Sequence, residues 1–223
     1  MLDQQLGGIK EPRPDTQRRI IKAAGKIFAD SGYGHTTIRA ICAHAGVNVA
    51  AVNYHFGGKK NLYLTVLRDL HARALAEHPF DLDDRSTGSP TERLTGFIRA
   101  FLFRVLDEGD GTRFAKIMAR ELIQPTDALD ELIKNIINPA FAFLSATVRQ
   151  LLKKTVSEEK VALCCLSIAG QVFYFYMTRH VIRKLFDRER FETGEIEAIA
   201  THMARFSLYA IDRMARADEV EIK

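Results

Sequence analysis

Residues 36–67 read TTIRAICAHAGVNVAAVNYHFGGKKNLYLTVL, and the spacing of apolar residues and glycines in this stretch decides the fold. With Thr36 or Thr37 as cap, a short helix over 37–45 turns Ile38, Ile41 and Ala45 to one side. Gly46 stops it. Asn48 then caps a third helix that ends near Phe56, with Val47, Val52 and Phe56 inward, before Gly57 and Gly58 break the chain again. A fourth helix is expected over 59–77. Upstream, Ile20, Ala24, Ile27 and Phe28 make the buried stripe of a first helix over 16–30, with Gly32 as its stop. Two short helices joined across a glycine and braced by a third have the layout of a helix-turn-helix. A helix of roughly eight to ten residues fits a major groove about 12 Å wide.

The third helix, NVAAVNYHF, has an outer surface unlike that of a solvated helix. With Val52 and Phe56 inward it shows Asn48, Ala51, Asn53, Tyr54 and His55, with Val49 in its first turn and no acidic residue. Small, amide and hydroxyl groups free of negative charge suit approach to DNA. Charge points the same way. Residues 1–60 hold nine Lys and Arg against four Asp and Glu, while the rest of the chain holds 23 against 24. A basic segment on a neutral body suits a polyanion partner. Lys59, at the start of the fourth helix, reads as a phosphate contact or as surface charge. His55 reads as a phosphate contact or a structural histidine. Asn53 can read adenine through its amide or bind phosphate or water. Thr37 can cap and touch phosphate at once, and Arg39 is a phosphate or groove contact or else a solvated charge. GGKK at 57–60 lacks the spaced glycine and the Ser or Thr of a nucleotide-binding loop.

This run resembles the DNA-binding domain of TetR-family transcriptional regulators. Thr37, Ile41, Ala45, Gly46, Val47, Val52, His55, Phe56, Lys59 and Leu62 match the family pattern. The chain departs from it at Asn48, where Ser is common, at Ala50, where Gly is common, and at Asn53, where Tyr is usual and Tyr54 stands next to it. The resemblance covers about 50 residues. It implies a double-stranded DNA operator, a ligand pocket in the body, a small-molecule effector acting through the fourth helix, and a four-helix dimer interface made of two helices per subunit.

The remainder of the chain also reads as helix, over 91–108, 113–123, 127–153, 157–186 and 193–216, with Pro139 expected to kink the third of these. No convincing strand pattern occurs. The fold expected is all-α: a flexible arm over 1–14, a helix-turn-helix domain over 15–60, and a larger helical ligand-binding and dimerisation domain over 61–223. The polar stretch from Pro79 to Pro90 is a connection that marks the best domain boundary. The last helix carries the clearest stripe, Ile196, Ile199, Ala200, Met203, Phe206, Ala210, Ile211 and Met214. Leu163, Leu166, Ile168, Val172, Phe173, Phe175 and Tyr176 nearly encircle the helix before it, so these two helices are expected to form a homodimer interface. Phe101, Met118, Glu121, Phe141, Phe173 and Tyr176 are candidate walls of an effector pocket, although core packing explains them equally. Arg120 and Glu121 read first as a surface pair, second as a polar anchor for the effector.

Composition bounds the remaining possibilities. At 223 residues, 47% hydrophobic and 27% charged, the chain is an ordinary globular protein of one domain or two small ones. Cys42, Cys164 and Cys165 form no CxxC pair and suit a reducing cytoplasm as buried thiols. The N-terminus lacks the pattern of a signal peptide, and the uncharged run Ala162 to Met177 is short of a bilayer span, so a cytoplasmic protein without a membrane partner is expected. No catalytic residues, metal ligands or cofactor loop stand out. His71, His78, Asp81, Asp83 and Asp84 read as a solvated linker region before they read as a metal site. A helical enzyme and a non-specific architectural DNA binder are the alternatives. The first lacks a visible nucleophile–base pair, and the second has no need of a neutral, aromatic-rich body.

Overall fold

The structure, a computed structural model, describes residues 15–79, 88–107, 109–152 and 156–221. Among them the regular structure is all helical, with no strand. The helices are α1 (Asp15–His35), α2 (Ile38–Ala45), α3 (Val49–Phe56), α4 (Lys59–Glu77), α5 (Pro90–Leu106), α6 (Asp110–Ile123), α7 (Leu129–Leu132), α8 (Asn138–Leu152), α9 (Glu158–Leu185) and α10 (Thr193–Glu221), with a π-helical turn, Ile133–Ile137, between α7 and α8. The arm expected over 1–14 and most of the Pro79–Pro90 linker lie outside the described residues.

The chain forms two compact units, one ending at Leu70 and the other starting at His71, so the division falls inside α4. The sequence pattern ends the helix-turn-helix domain at residue 60, ten residues earlier, and marks its best boundary at Pro79 to Pro90, later than the observed division. Leu62, Tyr63, Val66 and Leu67 explain the difference, because all four are buried in the first unit with Ile20, Ala24 and Phe28 of α1, Ile41 of α2 and Val52 of α3. Tyr63 sits edge-on to Phe28 at 4.8 Å and tilted against Tyr33 at 4.8 Å. Gly32, at φ 74 and ψ 169, breaks α1 where a stop was expected.

In the second unit α5 is the central helix. Ser89 opens it with a reciprocal capping box to Glu92, and Leu94, Phe97, Ile98, Leu102 and Phe103 are buried against α6, α8, α9 and α10. Phe97 stacks between Phe101 and Phe143, at 5.8 and 5.9 Å. The single helix expected over 127–153 is instead α7, the π-turn and α8. Pro139 has no N–H to continue an α-helical ladder, and the amide of Asn138 reaches back five residues to Ile133 O.

α9 requires a correction. Its 28 residues include an 18-residue window of mean hydropathy 1.6, long and apolar enough by length and composition to cross a membrane, and only 33% of that window is buried. Ile168, Val172 and Tyr176 face the core, whereas Leu163, Leu166, Tyr174, Met177, Val181 and Leu185 are exposed. On α10, Ile196, Ala200, Met203 and Ile211 are buried as expected, but Phe206 and Met214 are exposed. A shallow groove between the two helices is lined by Leu163, Ser167, Gln171, Phe206, Ala210 and Met214.

Candidate nucleic-acid interface

Two helix N-termini of the first unit, those of α2 and α3, are capped by side chains. Thr37, extended at φ −110 and ψ 150, caps α2 by accepting from the Ala40 amide at 3.1 Å. Thr36, the other capping candidate, is buried and its hydroxyl donates to Gly32 O at 2.6 Å. Asn48 caps α3, its Oδ1 accepting from the Ala51 amide at 2.9 Å. Oriented amides at such ends favour phosphate oxygens. Neither α2 nor α3 carries an acidic residue to oppose them.

Between the two helices Gly46 adopts the left-handed conformation, φ 64, that a tight turn requires and other residues rarely tolerate. The Val47 amide donates to Cys42 O at 3.0 Å, and the Cys42 thiol to Asn48 O at 3.5 Å. Burial raises the pKa of that thiol. Arg19 of α1 also reaches this turn, donating from Nη2 to Ala45 O at 2.7 Å and Gly46 O at 3.0 Å.

α3 then shows a defined outer arc. Val49, Ala50, Asn53 and Tyr54 are exposed, Tyr54 at 85%, while Val52 is buried and Ala51, His55 and Phe56 are half-buried. Ala51, expected on the outer face, is half-buried instead. At 100° per residue Ala50 is the position that shares the arc with Asn53 and Tyr54, and the phase set by Val52 carried that signal. Asn48, Thr37 and Arg39 are exposed. His55 is tied back to α1, its Nδ1 lying 3.3 Å from Gln17 Nε2. Lys59 lies over the Tyr33 ring, its Nζ 4.3 Å from the centroid, and partial burial lowers its pKa. Arg19, Gln17 and Tyr33 each act across a long separation, which leaves no periodic trace in the sequence.

The six pocket candidates in the second unit are scattered in environment. Tyr176 is buried, with the Arg179 guanidinium 4.1 Å from its ring centroid. Phe101 and Met118 are half-buried, whereas Phe141 and Phe173 are exposed. Glu121 is 2% exposed, so its reading as half of a surface pair is corrected. Its carboxylate accepts from the Thr126 amide at 3.1 Å and hydroxyl at 2.9 Å, which ties the loop after α6 back onto that helix. None of the six lines the α9–α10 groove. His71 lies tilted against Phe114 at 5.1 Å and His78 pairs with Asp107 at 3.4 Å, whereas Asp81, Asp83 and Asp84 lie outside the described residues. Cys164 and Cys165 are buried and their thiol pKa values raised by that burial.

Comparison with known proteins follows the same two-part division. Residues 20–66 match the bacterial regulatory proteins of the tetR family, and residues 90–211 match the C-terminal domain of the HTH-type transcriptional dual regulator CecR. The chain is 25% identical over 176 residues to the dual regulator CecR of Shigella flexneri, covering 74% of this chain and 78% of that protein. Among solved structures it resembles HlyIIR, a hemolysin II transcriptional regulator, with TM-score 0.56, 21% identity, and 84% and 96% of the two chains covered. It also resembles FadR of Bacillus subtilis, solved with stearoyl-CoA, with TM-score 0.64, 17% identity, and 86% and 97% covered. At these identities the structural likeness speaks for the fold alone.

Proposed function

The chain belongs to the TetR family of bacterial regulatory proteins, with a C-terminal domain of the CecR type, and is a transcriptional regulator and not an enzyme; on that premise we propose that it is a homodimeric repressor released from a near-palindromic operator by a small apolar or aromatic effector. The observation that carries the DNA part is the exposed, acid-free arc of α3. Val49, Ala50, Asn53 and Tyr54 enter the major groove, and Thr37, Arg39, Asn48, His55 and Lys59 contact backbone phosphates around it. Such a protein works in the cytoplasm, where the DNA is.

The uncovered apolar faces of α9 and α10 support pairing with a second copy, which hides them in a four-helix interface. Two-fold symmetry then fixes two half-sites about 34–36 Å apart. α4 includes residues of both units, which supports its proposed role in carrying the effector's signal. An effector lodged among Phe101, Met118, Glu121, Phe141, Phe173 and Tyr176 releases DNA only by binding the DNA-incompetent state better. FadR, of similar fold, was solved with stearoyl-CoA, whose acyl chain is apolar although its CoA part is anionic.

The test begins with selection of bound duplexes from a random pool, followed by a screen of hydrophobic compounds for release of the enriched site. An enriched inverted repeat and a releasing compound are expected. Equal competition by unrelated DNA would show a non-specific binder instead.

A further inference from the structure

We propose that Arg19 is a positioning residue for DNA recognition: from α1 it pins the turn between α2 and α3 and so fixes the angle at which α3 is presented. The inference rests on the DNA-binding reading above and adds to it a residue that itself need not touch DNA.

Three observations converge on it. The guanidinium donates to two successive carbonyls, Ala45 O at 2.7 Å and Gly46 O at 3.0 Å. These stand at the C-terminal end of α2, where carbonyls lack intrahelical partners and the helix dipole favours a cation. The bonds from Val47 to Cys42 O and from Cys42 to Asn48 O hold the turn to α2, whereas Arg19 ties it to α1. Finally, a Cβ on residue 46 would lie 2.9 Å from Arg19 Nη2, closer than real Cβ contacts come. Gly46 therefore serves twice, supplying the left-handed φ of 64 and leaving room for the guanidinium. The ion pair to Asp15, at 4.0 Å, is long and exposed and does not compete for it.

The consequence for DNA is selective. Base readout depends on directional hydrogen bonds, while phosphate attraction is long-ranged and tolerant of small tilts. Releasing the turn thus costs sequence discrimination before it costs general affinity.

The test compares the full chain with Arg19→Ala, Arg19→Gln and Arg19→Lys, each checked for helicity and melting. The probes are a duplex enriched from a random pool by the wild type and an unrelated duplex of equal length. Arg19→Ala is expected to lower the ratio of the two affinities about tenfold or more, the size of a lost charged hydrogen bond. The salt slope on unrelated DNA stays unchanged, and Arg19→Lys, which keeps the charge without the planar fork, recovers part of the ratio. Arg19→Gln is read in its place if the alanine variant does not fold. An unchanged ratio overturns the proposal. So does an equal loss on both duplexes with a slope shallower by about 0.9, which makes Arg19 a phosphate contact. Amide hydrogen exchange supplies a readout without DNA: Val47 and Ala51 should exchange about tenfold faster or more in Arg19→Ala, with the α1 core unaltered. Unaltered exchange at Val47 also overturns the proposal. If the wild type enriches no duplex, the DNA-binding reading fails, and the pinning of the turn is decided by exchange alone.

Discussion

Asn53 and Lys59 occupy positions suited to different chemistry. Asn53 is exposed on the α3 arc, and its amide can offer adenine a donor and an acceptor together. Asn53→Ala is expected to relax preference at one base position and to cost about 1–3 kcal/mol on the enriched site. Lys59 is held over Tyr33 at the first turn of α4. Lys59→Ala should weaken binding to every duplex and shallow the dependence of log affinity on log salt by about 0.9. An unchanged slope removes Lys59 from the phosphate contacts. At this scale the caps were legible, since Thr37 and Asn48 sit immediately before apolar-periodic residues. The choice of Ala50 over Ala51 was missed because Phe56, expected inward, is only half-buried and gives a loose phase. The links made by Arg19 and Gln17 depend on how α1 lies against α2 and α3, which no local pattern encodes.

Between elements, α6 comes close to the end of α5 at Gly111. A Cβ on Gly111 would stand 2.6 Å from Arg104 O and 3.1 Å from Arg104 Cα, backbone atoms that cannot rotate away. Arg104 is itself buried, with its Nε donating to His78 O at 3.0 Å just past the end of α4, and burial lowers its pKa to about 10. Gly111→Ala should therefore push the start of α6 outward and destabilise the second unit by about 1–3 kcal/mol, read as a lower melting temperature. A neutral result means that α6 slides without loss. Helix number and order were largely legible from 3.6-residue periodicity. The region after Pro125 was not, since Pro139 signalled an interruption without specifying a π-turn. α9 also shows a limit of pattern reading: a helix apolar on most sides is recognisable, but what covers each side is a matter of partners.

At the scale of the molecule, two predictions concern assembly and pH. A charge placed at exposed Phe206 should yield monomers by sedimentation, and a Phe206→Glu chain that stays dimeric rules out the α9–α10 interface. His71, the first residue of the second unit, has its pKa lowered to about 4, first by burial and then by Arg104. The folded form thus keeps it neutral while an unfolded chain takes up a proton below about 6.5. Stability is accordingly full above that value and falls as pH drops toward 4, by about 2 kcal/mol once solvent at its partly exposed ring is allowed for. His71→Gln should flatten that part of the stability–pH curve. An unaltered curve assigns the slope to other groups.

The outward face of α9 has a consequence in mass action. A chain that hides Leu163, Leu166, Val181 and Leu185 only against a second copy has a native state whose population depends on how many copies are present. Its melting midpoint should climb with each tenfold rise in protein concentration, and a midpoint indifferent to dilution would mean that one copy suffices. Gene dosage then becomes an input in its own right: halving synthesis removes more than half of the assembled pairs near the dissociation constant, so the response of a target promoter steepens with the abundance of its regulator.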